Sequence, residues 1–117
     1  MLLALVLVAG CGGPSARKLP LDKSLARASL EKCLTAWKAG ESMQSLATQQ
    51  PPIICTDDDW RQGAKLLDYK LLDPESDDGT NLHCRVELSL HHSSGVPVTR
   101  QANYVIGTSP SISVGRF

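Results

Sequence analysis

The clearest pattern in the chain runs over residues 80–92, TNLHCRVELSLHH. Leu82, Cys84, Val86, Leu88 and Leu90 share one parity, and Asn81, His83, Arg85, Glu87, Ser89 and His91 share the other. Alternation of this kind predicts an antiparallel strand with one buried and one wet face. The period of two recurs over 64–72, where Leu67, Tyr69 and Leu71 fall together. It recurs again over 98–107, on Ala102, Tyr104 and Ile106, and Ile112 and Val114 mark a short last strand. The segments between these runs, 73–79, 93–95 and 108–110, are turns by their Pro, Gly, Ser and Asp content.

Upstream the period is helical. Ala26, Leu30, Cys33, Leu34 and Trp37 make one apolar stripe along a helix predicted over 21–39, with Asp22 as its N-cap and Gly40 as its stop. Residues 41–48 add a short helical turn, ended by Gln49-Gln50-Pro51-Pro52. Ile53-Ile54-Cys55 is a very short extended piece with the character of an edge strand. Residues 57–63, DDDWRQG, read as a single capped turn with acids at its N-terminus. A sheet with one apolar face needs a cover, and the N-terminal helix is the large apolar surface at hand. The expected architecture is therefore α+β, a helix packed on a curved antiparallel meander of about four strands. In element order this resembles the cystatin-like and nuclear-transport-factor-like rolls. That superfold hosts isomerases and dehydratases as well as non-enzymatic modules, so the resemblance implies a fold and leaves function open.

The first twenty residues change the picture from fold to address. Leu2–Ala9 is an apolar run far short of the ~20 residues a membrane-crossing helix needs. It has the length of a secretory signal's apolar region. Val8-Ala9-Gly10-Cys11 comes next, and it resembles the lipobox of bacterial lipoproteins. The resemblance implies cleavage between Gly10 and Cys11 and a lipid on the Cys11 thiol. The run departs from that family in having no Lys or Arg before it; the amino terminus or an upstream start would supply the charge. Residues 1–10 are then a signal peptide, 11–20 a lipidated tether, and 21–117 a single α+β domain. The implied location is the cell envelope, on the outer side of the cytoplasmic membrane or in the outer membrane. Trp60 to Leu72, WRQGAKLLDYKLL, with Tyr104 to Pro110, YVIGTSP, is similar to short predicted lipoproteins of planctomycete type. That group supplies a compartment and a fold but no catalytic residue.

Charge and candidate chemistry narrow the functions. The 12 Lys and Arg balance the 12 Asp and Glu, so a nucleic-acid partner, which needs an excess of cations on one face, is not expected. With Cys11 assigned to lipid, Cys33, Cys55 and Cys84 remain. Cys33 lies on the helix stripe and Cys84 on the inner strand face, so a Cys33–Cys84 disulfide and two small buried thiols are both open. No C-x-x-C and no clustered His and Cys point to a redox or metal centre. His83 and His91 are ~27 Å apart along a strand, too far to share an ion. Asp57–Asp59 and the acids of 73–78 read as solvated turn chemistry. The inner-facing positions carry Leu, Cys, Val, Tyr and Ala, which is poor material for catalysis. The leading expectation is a non-catalytic, lipid-anchored envelope domain that contacts a protein or binds a small ligand. The alternative is an enzyme of the roll superfold with a pocket between helix and sheet. The outer face, with Val105 among Thr99, Gln101 and Asn103, is a candidate surface for a protein partner or a second copy.

Overall fold

A computed structural model of the chain describes residues 20–116. Cys11, with its lipidation and the Gly10–Cys11 cleavage point, lies outside the described residues. The elements in order are α1 (Lys23–Lys38), α2 (Met43–Ala47), β1 (Ile53–Thr56), α3 (Asp58–Arg61), β2 (Lys65–Asp77), β3 (Asn81–His91), β4 (Val98–Gly107) and β5 (Ile112–Arg116). The chain is α+β. Its sheet has five strands in the order β1-β5-β4-β3-β2, and it is mixed. β2 to β5 pair antiparallel in succession, while β1 joins β5 in parallel through Ile53 opposite Ile112 and Cys55 opposite Val114. This corrects the expected four-stranded antiparallel sheet. The extended piece at 53–55 does join as an edge strand, but four residues carry no signal of a parallel partner 59 positions away in register.

α1 begins where Asp22 turns its side chain back to accept from the Leu25 N–H at 3.0 Å. It ends at Ala39, after which Gly40 takes φ +86°, a conformation that costs glycine little. Ala26, Leu30, Cys33, Leu34, Ala36 and Trp37 are buried on one side of it. They share one core with Leu66 of β2, Leu82, Cys84, Val86, Leu88 and Leu90 of β3, Ala102, Tyr104 and Ile106 of β4, and Ile112 and Val114 of β5. Polar links tie the other side of the helix to β2. Arg27 forks onto both oxygens of Glu75, Lys38 reaches Asp68 at 3.2 Å, and Thr35 shares a 3.1 Å hydrogen bond with Tyr69.

Two irregularities shape β2. Its register against β3 shifts between Leu66 and Asp68, and again between Leu72 and Ser76. A bulge inserts an extra residue and reverses the facing of the residues beyond it. Leu66 is therefore buried while Leu67 is 44% exposed, against the sequence expectation that Leu67 shares the inner face with Tyr69 and Leu71. The second shift stands over a depression of about 210 Å³, lined by Pro74, Ser76, His83, Arg85 and Asn103 among others. The turn from β2 to β3 is held by Asp78, whose Oδ1 accepts from the N–H of Thr80 at 2.9 Å and of Asn81 at 2.7 Å.

Candidate functional site

Where β1 ends and α3 begins, the chain carries three consecutive acids, and they do not share one environment. Asp57 is 3% exposed and Asp59 is 8% exposed, while the Asp58 side chain is 80% exposed. Asp57 has two tasks. As the N-cap of α3 its Oδ1 accepts from the N–H of Asp59 at 3.0 Å and of Trp60 at 3.3 Å. It also faces the end of the sheet. There Arg116, at the end of β5, donates to Oδ1 at 3.0 Å, and the Tyr104 hydroxyl of β4 donates to Oδ2 at 2.5 Å. Asp59 Oδ2 takes the same Arg116 nitrogen at 2.5 Å and Arg100 at 3.3 Å. His92 Nε2 stands 3.9 Å from Asp59 Oδ1 at the half-exposed edge of the group.

Two carboxylates and two guanidiniums thus meet with their formal charges balanced. Burial raises the Tyr104 phenol's pKa, and the negative charge of Asp57 adds to it, so the hydroxyl stays protonated and donates. Burial alone would lower the pKa of Arg116. The hydrogen bond to Asp59 and the charges of both acids outweigh that, and the net shift is upward. The sequence reading of this cluster as solvated turn chemistry is therefore corrected. Alternation places no acid on the inner face of the strands. The acids enter from the β1–α3 corner, which has no period to betray their direction.

Beside this network, Trp37 of α1 and Trp60 of α3 stack with ring centroids 5.4 Å apart and planes 9° from parallel. Each indole N–H is used: Trp37 donates to the carbonyl of Ala64 at 2.8 Å, and Trp60 to that of Glu41 at 3.0 Å. Cys33, Cys55, Asp57, Tyr104 and both tryptophans line one small void of about 10 Å³. That is close to the least volume that holds a single water.

The three described cysteines are free thiols. Of the two readings open for Cys33 and Cys84, a disulfide or two small buried thiols, the structure has both as buried free thiols, and the thiol beside Cys33 is that of Cys55. The Cys55 side chain, with burial second, pushes the Cys33 thiol's pKa up. Cys84 lies elsewhere, toward the Arg27–Glu75 pair, and burial pushes its thiol up to about 11. Arg27 is six residues before Cys33, or about 9 Å along the helix axis. Both cysteines face the core, as parity says, but at different heights.

A general base needs a lone pair directed at open space. Asp57 has its oxygens engaged by four donors, and among the described residues no buried side-chain nitrogen or oxygen lacks a partner. No group of His, Cys, Asp and Glu among the described residues is arranged to hold a metal ion. No helix among them is long and apolar enough to cross a membrane. The open features lie on the outside. The outer sheet face carries the 210 Å³ depression with His83, Arg85 and Asn103, and a shallow groove of about 440 Å³ runs between α1 and α2 past Lys32, Ala36, Glu41 and Leu46. No protein-family model matches the chain, and neither the curated proteins nor the solved structures give a match.

Proposed function

We propose that this chain is a lipid-anchored domain of the cell envelope that works through contacts of its outer sheet face with a protein partner, and not by catalysis. The anchor is Cys11, after cleavage behind Gly10, and the lipobox-like Val8-Ala9-Gly10-Cys11 supports it. The fold reading that goes with it is a roll of the cystatin-like or nuclear-transport-factor-like kind, supported by one long helix over a strongly bulged sheet. The observation that carries the functional reading is where the room is. Next to the buried acids about 10 Å³ is left; the room is on the outside, in the shallow groove of about 440 Å³ between α1 and α2 and in the depression of about 210 Å³ on the outer sheet face, which alone gathers Ser76, His83, Arg85 and Asn103. A roll enzyme needs space for substrate between helix and sheet, typically of ~300 Å³ or more.

The test has two arms. Cys11→Ser, with membrane fractionation as the readout, moves the protein from the membrane to the soluble fraction; a mutant that stays membrane-bound removes the anchor. A photo-crosslinking residue at Gln101 or Asn103, on the outer face, gives a discrete adduct in intact membranes. The same residue at Asp58, exposed on α3 and outside both open features, gives none. Equal labelling from both positions, or from neither, removes the outer face as the contact surface.

A further inference from the structure

We propose that Cys33 and Cys55 are a disulfide-forming pair that ties α1 to the edge strand β1. Three observations place the two sulfurs together. Cys33 is on the inner stripe of α1 and Cys55 on β1, in register with Val114 of β5. Both line the same void of about 10 Å³. The Cys55 side chain is the largest influence on the Cys33 thiol, as only a near neighbour can be, and a disulfide needs the two sulfurs brought to about 2.05 Å. Cys84 is not a rival, because its charged neighbours are Arg27 and Glu75, farther back along the helix.

The two thiols are unequal, and that sets the order of events. Cys33 is 3% exposed, whereas Cys55 is only partly covered. An external disulfide reaches Cys55 first. The Cys55 sulfur, having lost its proton, attacks one sulfur of that disulfide and releases the other half as a thiol. Cys33 then gives up its proton, and its sulfur attacks the Cys55 sulfur of the mixed disulfide. The second half leaves as a thiol. In balance, two protein thiols and one external disulfide become one protein disulfide and two external thiols. The protein loses two electrons and two protons, and the external disulfide gains them. Burial, which outlasts the loss of the Cys55 thiol, disfavours the Cys33 thiolate, so the second step is the slow one and is faster as pH rises. The envelope location proposed above would supply oxidants of this class, but the pairing is a property of the folded chain and stands apart from the anchor.

The experiment uses the full chain carrying Cys11→Ser, so that three thiols remain. The reduced protein is incubated with oxidised glutathione, and its thiols are counted after denaturation. The count falls from three to one, and peptide mapping finds Cys33 joined to Cys55. Tryptophan fluorescence falls in step, because the new disulfide lies against Trp37 and Trp60, and dithiothreitol restores both signals. In a Cys84→Ser background the count falls from two to none, and the urea midpoint of the oxidised form lies above that of the reduced form. Three titratable thiols after prolonged oxidation, a peptide joining either partner to Cys84, or glutathione held stably on Cys55 overturns the proposal. These outcomes are read on purified protein, so they are independent of whether Cys11→Ser releases the protein from membranes.

Discussion

Asp57 has four donors on two oxygens, two from its own helix turn and two from the end of the sheet. Removing such a group leaves the buried Tyr104 hydroxyl without its partner and the part-buried Arg116 guanidinium with Asp59 alone, and that penalty exceeds the worth of the pair itself. Asp57→Ala is therefore expected to lower the free energy of unfolding by about 3–5 kcal/mol. Asp58→Ala, one residue along, breaks only an exposed pair with Arg61 and changes it by about 0–1 kcal/mol. Urea unfolding of both variants measures the contrast, and equal losses would mean that the buried network contributes nothing beyond a surface pair. Asp78 gives a prediction in pH. Backbone N–H bonds from Asn81 and Thr80, and then the bond with His83, lower its pKa to about 2. A carboxylate whose folded pKa is depressed adds stability above its unfolded pKa and loses it as pH falls toward the folded one. The wild type should thus lose stability between about pH 4 and pH 2. Asp78→Ala should start lower at pH 7 and lose less over that range; parallel curves for the two proteins would exclude the role.

At the scale of elements, legibility tracks the length and regularity of each pattern. β3 covers Asn81–His91 within the predicted 80–92, and α1 covers Lys23–Lys38 within the predicted 21–39, because many residues repeat one period there. Leu67 leaves the face its parity predicts because a bulge breaks the period inside a strand, and nothing in KLLDYKLL marks where. Asp57 and Asp59 are buried where composition predicts solvation because DDDW is a corner, where side chains point by tertiary demand. A signal was present nonetheless: Tyr104 has inner parity and needs a hydrogen-bond partner if buried. Arg116 likewise closes a short strand beside apolar Val114. The two tryptophans join elements that no period connects. Trp60 stacks on Trp37 and, through its indole N–H, holds the α1–α2 link at Glu41. Trp60→Phe keeps a ring for the stack and removes that hydrogen bond. It should lower stability by about 0.5–1.5 kcal/mol, with near-UV circular dichroism largely retained. A loss near that of a large-to-small substitution, about 3–5 kcal/mol, would show that the stack itself has collapsed.

For the whole molecule, the sheet is made of two unequal parts. β2, β3 and β4 are long and joined by extended antiparallel ladders, with β3 paired on both sides and its inner face almost wholly out of contact with water. β1 and β5 are short, and β1 is bonded to the sheet through β5 alone. Ile53, Ile112 and Val114 give this smaller part a narrow apolar contact, and much of its fastening is polar: Arg116 holds Asp57 and Asp59 at one end, with Arg100 and Tyr104 reaching over from β4. Buried ionic contacts fix geometry better than they add stability, whereas the aliphatic face of β3 is stabilised by burial that any opening must undo. Local openings should therefore fall into two classes. Amides of β1, α3 and β5 are expected to exchange with deuterium together, through an opening that leaves β3 protected. Amides of Val86 and Leu88 should exchange only through global unfolding. Native-state hydrogen exchange at increasing urea separates the two, since the first class flattens at low denaturant and the second tracks the global slope. Arg116→Met should speed the first class more than the second. One common rate profile for β1 and β3, in the wild type and in this variant, would mean that the network at Asp57 welds the sheet into a single cooperative unit.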